Sequence, residues 1–99
     1  MTRIPTHPGS VIKEELEVRH ISQKYFAELT GISYSSLNDF LNEKKPLSSE
    51  LALIIEAALG VSADLLMNMQ NRYNMALPRQ KPSFLSRLSE IRKACAVFM

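Results

Sequence analysis

Residues 21–42 read ISQKYFAELTGISYSSLNDFLN, and their spacing predicts two short helices meeting at a turn. Ser22 is suited to cap a helix, because its hydroxyl accepts one of the N–H groups that a first turn leaves unpaired. Phe26, Ala27 and Leu29 follow at helical spacing. Gly31 stands where the helix must stop in a left-handed residue, a conformation that strains any other side chain. Ser33 is a second cap, and Leu37, Phe40 and Leu41 repeat at i, i+3, i+4. Two helices of about two turns joined by a short glycine-centred turn form the helix-turn-helix pattern. Ala27 suits it, since a small residue is needed where the second helix crosses the first. The stretch predicts a DNA-binding unit.

Before it, residues 1–7 predict a short extended arm, and Pro8 fits the first position of a helix to about Val18. Val11, Ile12, Leu16 and Val18 would face inward there, with Glu14, Glu15 and Glu17 outward. His7 reads as a cap or surface residue rather than a metal or catalytic group. After it, Pro46 makes residues 43–47 a loop. Ser48 caps a fourth helix with Leu51, Ile55, Ala58 and Leu59 on one face, stopped by Gly60. Ser62 caps a fifth, which Pro78 closes. Its Met67, Met69 and Met75 read as adaptable packing rather than a metal site. Two prolines in PRQKP at 78–82 predict a hinge-like break. Beyond it Phe84, Leu88, Ile91, Cys95 and Phe98 form a stripe on a helix capped by Ser83 from about residue 83. That stripe packs on its own domain, on a second subunit or on another protein.

At 99 residues the chain predicts one domain with a tail: a DNA-binding domain over 1–77 and an extension over 78–99. A 45% hydrophobic and 22% charged composition is ordinary for a globular protein. No apolar run approaches a membrane span and no leader pattern opens the sequence, so a cytoplasmic protein is expected. The single Cys95 reads as a buried or idle thiol, with a reactive thiol as the alternative. Five of the twelve Lys and Arg residues fall after residue 76 against one carboxylate, so the tail is basic although the net charge is only +2. A basic tail suits phosphates, a solvated face or an acidic partner equally. No phosphate loop, metal-spaced His, Cys and carboxylate cluster, or nucleophile with a paired base is present, so no enzyme, metal or cofactor is expected.

With Ser22, Gln23, Ala27, Gly31, Ser33 and Asn42 in place, the chain resembles the phage-repressor (XRE/Cro) helix-turn-helix family. HPG at 7–9, LSSELA at 47–52, ALGVS at 58–62 and NMQNRY at 68–73 extend the likeness. Over about residues 5–77 the chain looks like a HigA-type (VapI-like) antitoxin. The resemblance implies an all-α fold: a five-helix phage-repressor-like domain, here with an extra C-terminal helix. It also implies a two-fold homodimer, a HigB-like mRNA-cleaving toxin as partner, and repression of its own operon. In two respects the chain departs from such relatives. Residues 34–42 carry no Arg, Lys or Gln, and the segment from Pro78 extends past where many relatives end.

In helix-turn-helix geometry the N-terminal part of the second helix enters the major groove while the first crosses the backbone. Tyr34, Ser35, Ser36, Asn38 and Asp39 would then face base edges, Asn38 pairing with adenine and Asp39 accepting from cytosine N4. Ser33, Asn42 and Gln23 would lie along the same surface, with Gln23 on a phosphate. Lys24, Lys44 and Lys45 would neutralise phosphate charge. On the fifth helix Leu65, Leu66, Met69 and Tyr73 are candidates for the dimer surface. Double-stranded operator DNA, a toxin and a second copy are the expected partners. A repressor without a toxin is the alternative. An interaction module whose helix-turn-helix no longer binds DNA is a third, since Asn38, Asp39, Lys44 and Lys45 are also ordinary solvated residues.

Overall fold

Every predicted cap on the first five helices is occupied in the computed structural model, which describes residues 4–99. Six helices follow in order: α1 Pro8–Val18, α2 Gln23–Thr30, α3 Tyr34–Leu41, α4 Ser49–Leu59, α5 Ala63–Arg79 and α6 Pro82–Ala94, with a 3-10 turn at Ala96–Phe98. Among the described residues there is no strand. The fold is therefore the expected all-α arrangement, five helices and one more. Residues 1–3 of the predicted arm lie outside the described residues, and residues 4–7 are neither helix nor strand.

Hydroxyls of Ser22, Ser33, Ser48 and Ser62 accept from N–H groups of Tyr25, Ser36, Leu51 and Leu65 at 3.1–3.2 Å. Each cap pairs a donor that the first turn cannot pair itself. His7 does the same for α1, its Nδ1 accepting from Gly9 N–H at 2.9 Å. Gly31 closes α2 at φ 76° and Gly60 closes α4 at φ 74°. The ends of α1 and α3 use another device. His20 and Glu43, at φ 59° and 63°, take the left-handed position without being glycine. Behind them Ile21 N–H donates to Leu16 O at 2.9 Å and Lys44 N–H to Asp39 O at 2.8 Å. These six-to-one bonds pair carbonyls that the helix ends would otherwise leave open.

The core gathers one face of each of the first five helices. Ile12 and Leu16 from α1, Phe26 and Ala27 from α2, and Leu37, Phe40 and Leu41 from α3 are buried together. Ala52, Ile55, Leu59, Ala63 and Leu66 join them from α4 and α5. Burying each large side chain contributes about 1.5–3 kcal/mol. Gly9 is required by contact: a Cβ there would lie 2.0 Å from the Phe40 carbonyl oxygen, so the start of α1 rests on the end of α3. Two polar side chains complete the scaffold. Gln70 is buried, accepting from Leu47 N–H and donating to Asn74 Oδ1, both at 2.8 Å. Glu56 Oε2 accepts from Ala63 N–H at 2.8 Å, placing a carboxylate on the positive end of α5.

Several expectations are corrected. Val18 is 68% and Leu29 63% exposed, each near the end of a helix whose apolar face turns away from it. Ala58 is exposed, because the inward stripe of α4 runs through Ala52, Ile55 and Leu59. Pro78 does not end α5 but sits inside its last turn. Helix α5 therefore runs past residue 77, and the hinge-like break expected at 78–82 shrinks to Gln80 and Lys81. Nor does Ser83 cap α6. Pro82 takes the first helical position, for which its fixed φ is suited, and Lys81 precedes it without a side-chain cap bond. No residue of α6 is buried, and its principal helix neighbour is α5. The molecule is accordingly elongated, 55 × 26 × 21 Å.

Candidate nucleic-acid interface

At 100° per residue, Leu37, Phe40 and Leu41 hold one side of α3 in the core, which turns positions 34, 35, 38, 39 and 42 outward. Tyr34 is 53% exposed, Ser35 is exposed, and Asn38 and Asp39 are half-buried. Ser36 lies at the flank of this row. It lines a groove of about 390 Å³ between α3 and α4 with Ile32, Phe40, Lys45 and Leu51. Ser33 precedes the row with its hydroxyl committed to the α3 cap.

Gln23, the first residue of α2, meets this row directly: Asn38 Nδ2 donates to Gln23 Oε1 at 2.9 Å across the two helices. Lys24 beside it is exposed. At the other end of α3, Asn42 is a tether. Its Nδ2 donates to Asn38 O at 2.9 Å, and its Oδ1 accepts from Lys13 Nζ of α1 at 3.2 Å. The left-handed Glu43 then folds the chain back, so that Lys45 Nζ comes within 3.9 Å of Asp39 Oδ2. Both partners are substantially exposed, so the pair adds little stability. It does set a cation beside the one carboxylate of the row. Lys44 and Lys45 also follow the negative end of α3, which favours them there.

Sequence reasoning missed Lys13, which adds a positive charge next to Asn42. Nothing in the spacing of residues 13 and 42 signals that contact. Tyr25 is a second unforeseen residue, an aromatic side chain left exposed on α2.

The four residues picked out on α5 differ in exposure. Leu66 is fully buried in the chain's own core and offers nothing to a partner. Tyr73 stands edge-on to His7, ring centroids 4.8 Å apart, and Met69 packs against the core, while Leu65 is exposed. His7 is in turn 5.8 Å from the Phe40 ring. Burial pushes the His7 pKa below its usual 6.5, against the charge of Glu43 and a hydrogen bond with the Lys45 backbone, which raise it. His7 thus connects α1, α3, α5 and the lysine loop.

Among the described residues no group of His, Cys, Asp and Glu is placed to hold a metal ion, and no helix is long and apolar enough to cross a membrane. The family model described as helix-turn-helix matches residues 12–66. The HTH-type transcriptional regulator YddM of Escherichia coli is 30% identical over 84 residues, 85% of this chain and 88% of that protein. A protein of Nostoc punctiforme assigned as the antidote of a plasmid maintenance system has a similar structure. It shows a TM-score of 0.77 and 26% identity over 90% of this chain and 96% of its own. Antitoxin HigA of Pseudomonas aeruginosa, solved with the higBA promoter, gives a TM-score of 0.71 and 26% identity over 90% and 92% of the two chains.

Proposed function

We propose, from the premise that this chain belongs to the helix-turn-helix family, that it is the antitoxin of a toxin–antitoxin pair. It represses its own operon as a dimer and neutralises a HigB-like mRNA-cleaving toxin by direct contact. The observation that carries the reading is the outward polar row of α3, with Asn38 held by Gln23 at the start of α2. Likeness to an antidote protein and to a HigA solved on promoter DNA supports the antitoxin assignment.

Docked with α3 in the major groove, Tyr34, Ser35, Asn38 and Asp39 meet base edges and Ser36 lies at their flank. Asn38 pairs with adenine, Asp39 accepts from cytosine N4, and Tyr34 meets a thymine methyl or a phosphate. Gln23 donates to a phosphate, while Lys24, Lys44 and Lys45 supply charge neutralisation and with it salt dependence. Ser33 and Asn42 act through structure, as cap and tether. One module makes few contacts, so a two-fold dimer on half-sites about one helical turn apart is the working form. Leu65 and the exposed edge of Met69 contribute to its interface. Residues 1–77 carry the DNA function, residues 78–99 form a basic extension, and the protein works in the cytoplasm.

A salt-titrated gel shift on the DNA upstream of its own gene tests this reading. Specific shifts that weaken as salt rises, and disappear in Asn38→Ala/Lys44→Ala, are the expected result. Co-purification of the neighbouring gene product tests the toxin. If the shift is specific and no toxin accompanies the protein, the second reading holds: a stand-alone repressor, to which the likeness to a transcriptional regulator points.

A further inference from the structure

We propose that His7 is a positioning residue for phosphate contact, whose ring fixes the loop that carries Lys44 and Lys45. The inference rests on the operator-binding reading above, in which those lysines neutralise backbone charge.

His7 is only 2% exposed, and its ring lines one groove of about 280 Å³ with Glu43, Lys44, Lys45 and Pro46 of the loop. Nδ1 accepts from Gly9 N–H at 2.9 Å, so the neutral ring carries its proton on Nε2. The ring also bonds the Lys45 backbone, and a donor on Nε2 must meet the carbonyl there. Phe40 of α3 and Tyr73 of α5 hold the ring from two sides, at centroid distances of 5.8 and 4.8 Å. The loop is tied on either side of this bond. Lys44 N–H donates to Asp39 O and Leu47 N–H to Gln70 Oε1, both at 2.8 Å. Between these ties His7 holds Lys45, and so sets where two cations stand beyond the end of α3. Phosphates lie at fixed positions along a duplex. A loop already held in place meets them without the ordering cost that a mobile one adds on binding.

Protonation breaks the arrangement. A charged ring carries hydrogens on both nitrogens, and Nδ1 then meets Gly9 N–H donor to donor. The titratable groups that face the ring are Glu43, Lys44 and Lys45 of the loop and Tyr73 of α5. Gly9 of α1 and Phe40 of α3 add no charge. Burial favours the neutral ring and holds its pKa below 6.5, against the charge of Glu43. Operator affinity should therefore fall as pH drops through that lowered value, whereas added positive charge alone would raise it.

The experiment measures operator binding by the full chain across salt and pH, with thermal melting to confirm folding under each condition. His7→Asn can still cap Gly9 N–H but is too short to hold Lys45 as well. Its slope of log affinity against log salt should shrink by about 0.9, one phosphate contact, with affinity down about 8-fold at 0.1 M salt. Base preferences should hold, since phosphate contacts carry no sequence information. Lys44→Ala/Lys45→Ala should shrink the slope by about 1.8, and His7→Asn added to that pair should shrink it no further. Acidification should weaken binding by the unchanged chain and not by His7→Asn. A purely structural loss would lower the folded fraction and leave the slope as it was.

A folded His7→Asn with an unaltered slope would overturn the proposal, as would a slope loss that adds in full to that of the lysine pair. An acid response shared by His7→Asn would do the same. Should the lysine pair leave the slope unchanged, the loop makes no phosphate contact and His7 has nothing to position, while specific binding stands on α3. If the unchanged chain binds no operator DNA, the operator reading itself fails and takes this one with it.

Discussion

Leu37 and Ile91 each sit within a helix, on an apolar stripe with polar flanks. Leu37 is completely buried and Ile91 is 47% exposed. The difference extends to their surroundings: α3 is enclosed by α1 and α2, whereas α6 leaves Phe84, Leu85 and Ile91 partly open and Val97 and Phe98 largely so. An apolar stripe is thus a demand for a partner, and its period does not say where the partner is. In the first five helices the demand is met within the chain. On α6 it is not.

The largest expected effect measures the enclosed side. Leu37→Ala removes a fully buried side chain from the middle of the core and should cost about 2–5 kcal/mol, read from urea unfolding. A loss under about 1 kcal/mol would mean that α3 is held more loosely than its burial implies. Gly9→Ala comes next. Its Cβ would meet the Phe40 carbonyl oxygen at 2.0 Å, and a backbone atom cannot swing aside as a side chain does. Moving α1 off α3 should cost about 1–3 kcal/mol, typical of overpacking. Because the shift propagates into α3, operator affinity should fall with it, whereas an unchanged gel shift would separate the α1 contact from the reading row.

The enclosed region was largely legible because its signals are local. Ser22, Ser33, Ser48 and Ser62 act within three residues of themselves, and Gly31 and Gly60 act at their own φ angles. Less legible was whatever depends on distant partners. The inward stripe of α5 passes through Ala63, Leu66 and Gln70. A glutamine hides that stripe from a hydrophobic pattern, because a hydrogen bond to Leu47 replaces apolar burial there. Hence buried Leu66 and exposed Leu65 look alike in the sequence. In the candidate interface the row on α3 follows from helical period, but its polarity does not. The Gln23–Asn38 bond and the Lys13–Asn42 tether join residues 15 and 29 apart in sequence. No spacing rule connects them.

A smaller effect probes the enclosed region through pH. His7 accepts from Gly9 N–H with Nδ1, so its neutral form is the one that fits, and burial holds its pKa below 6.5 in the folded chain. A base whose pKa is lowered on folding contributes stability that is complete above its unfolded pKa and lost as pH falls through the folded one. Stability should therefore decline below about pH 6.5. Glu43 opposes the shift, which keeps the decline gentle. Asn at position 7 also caps a helix but does not titrate, so the urea midpoints of His7→Asn should lack this component. Parallel pH curves for the two proteins would remove His7 from the account.

The smallest expected effect is the most direct test of the contrast between Leu37 and Ile91. Ile91→Ala removes apolar surface that is already half in water and leaves no cavity, so it should change stability by no more than about 0.5 kcal/mol. In a domain of this size that is a shift of roughly 2–4 °C in melting temperature. Ending the chain after Gln80 should do little more, since every buried residue lies before α6. Both measurements belong at low protein concentration, where α6 has only its own chain to pack on. Repeated at high concentration they ask a different question. If a second copy covers the α6 stripe, stability should rise with concentration in the full chain and not in the shortened one. Equal behaviour of the two chains at every concentration would leave the stripe to a different protein, and the basic residues Arg87, Arg92 and Lys93 around it would then point to an acidic one.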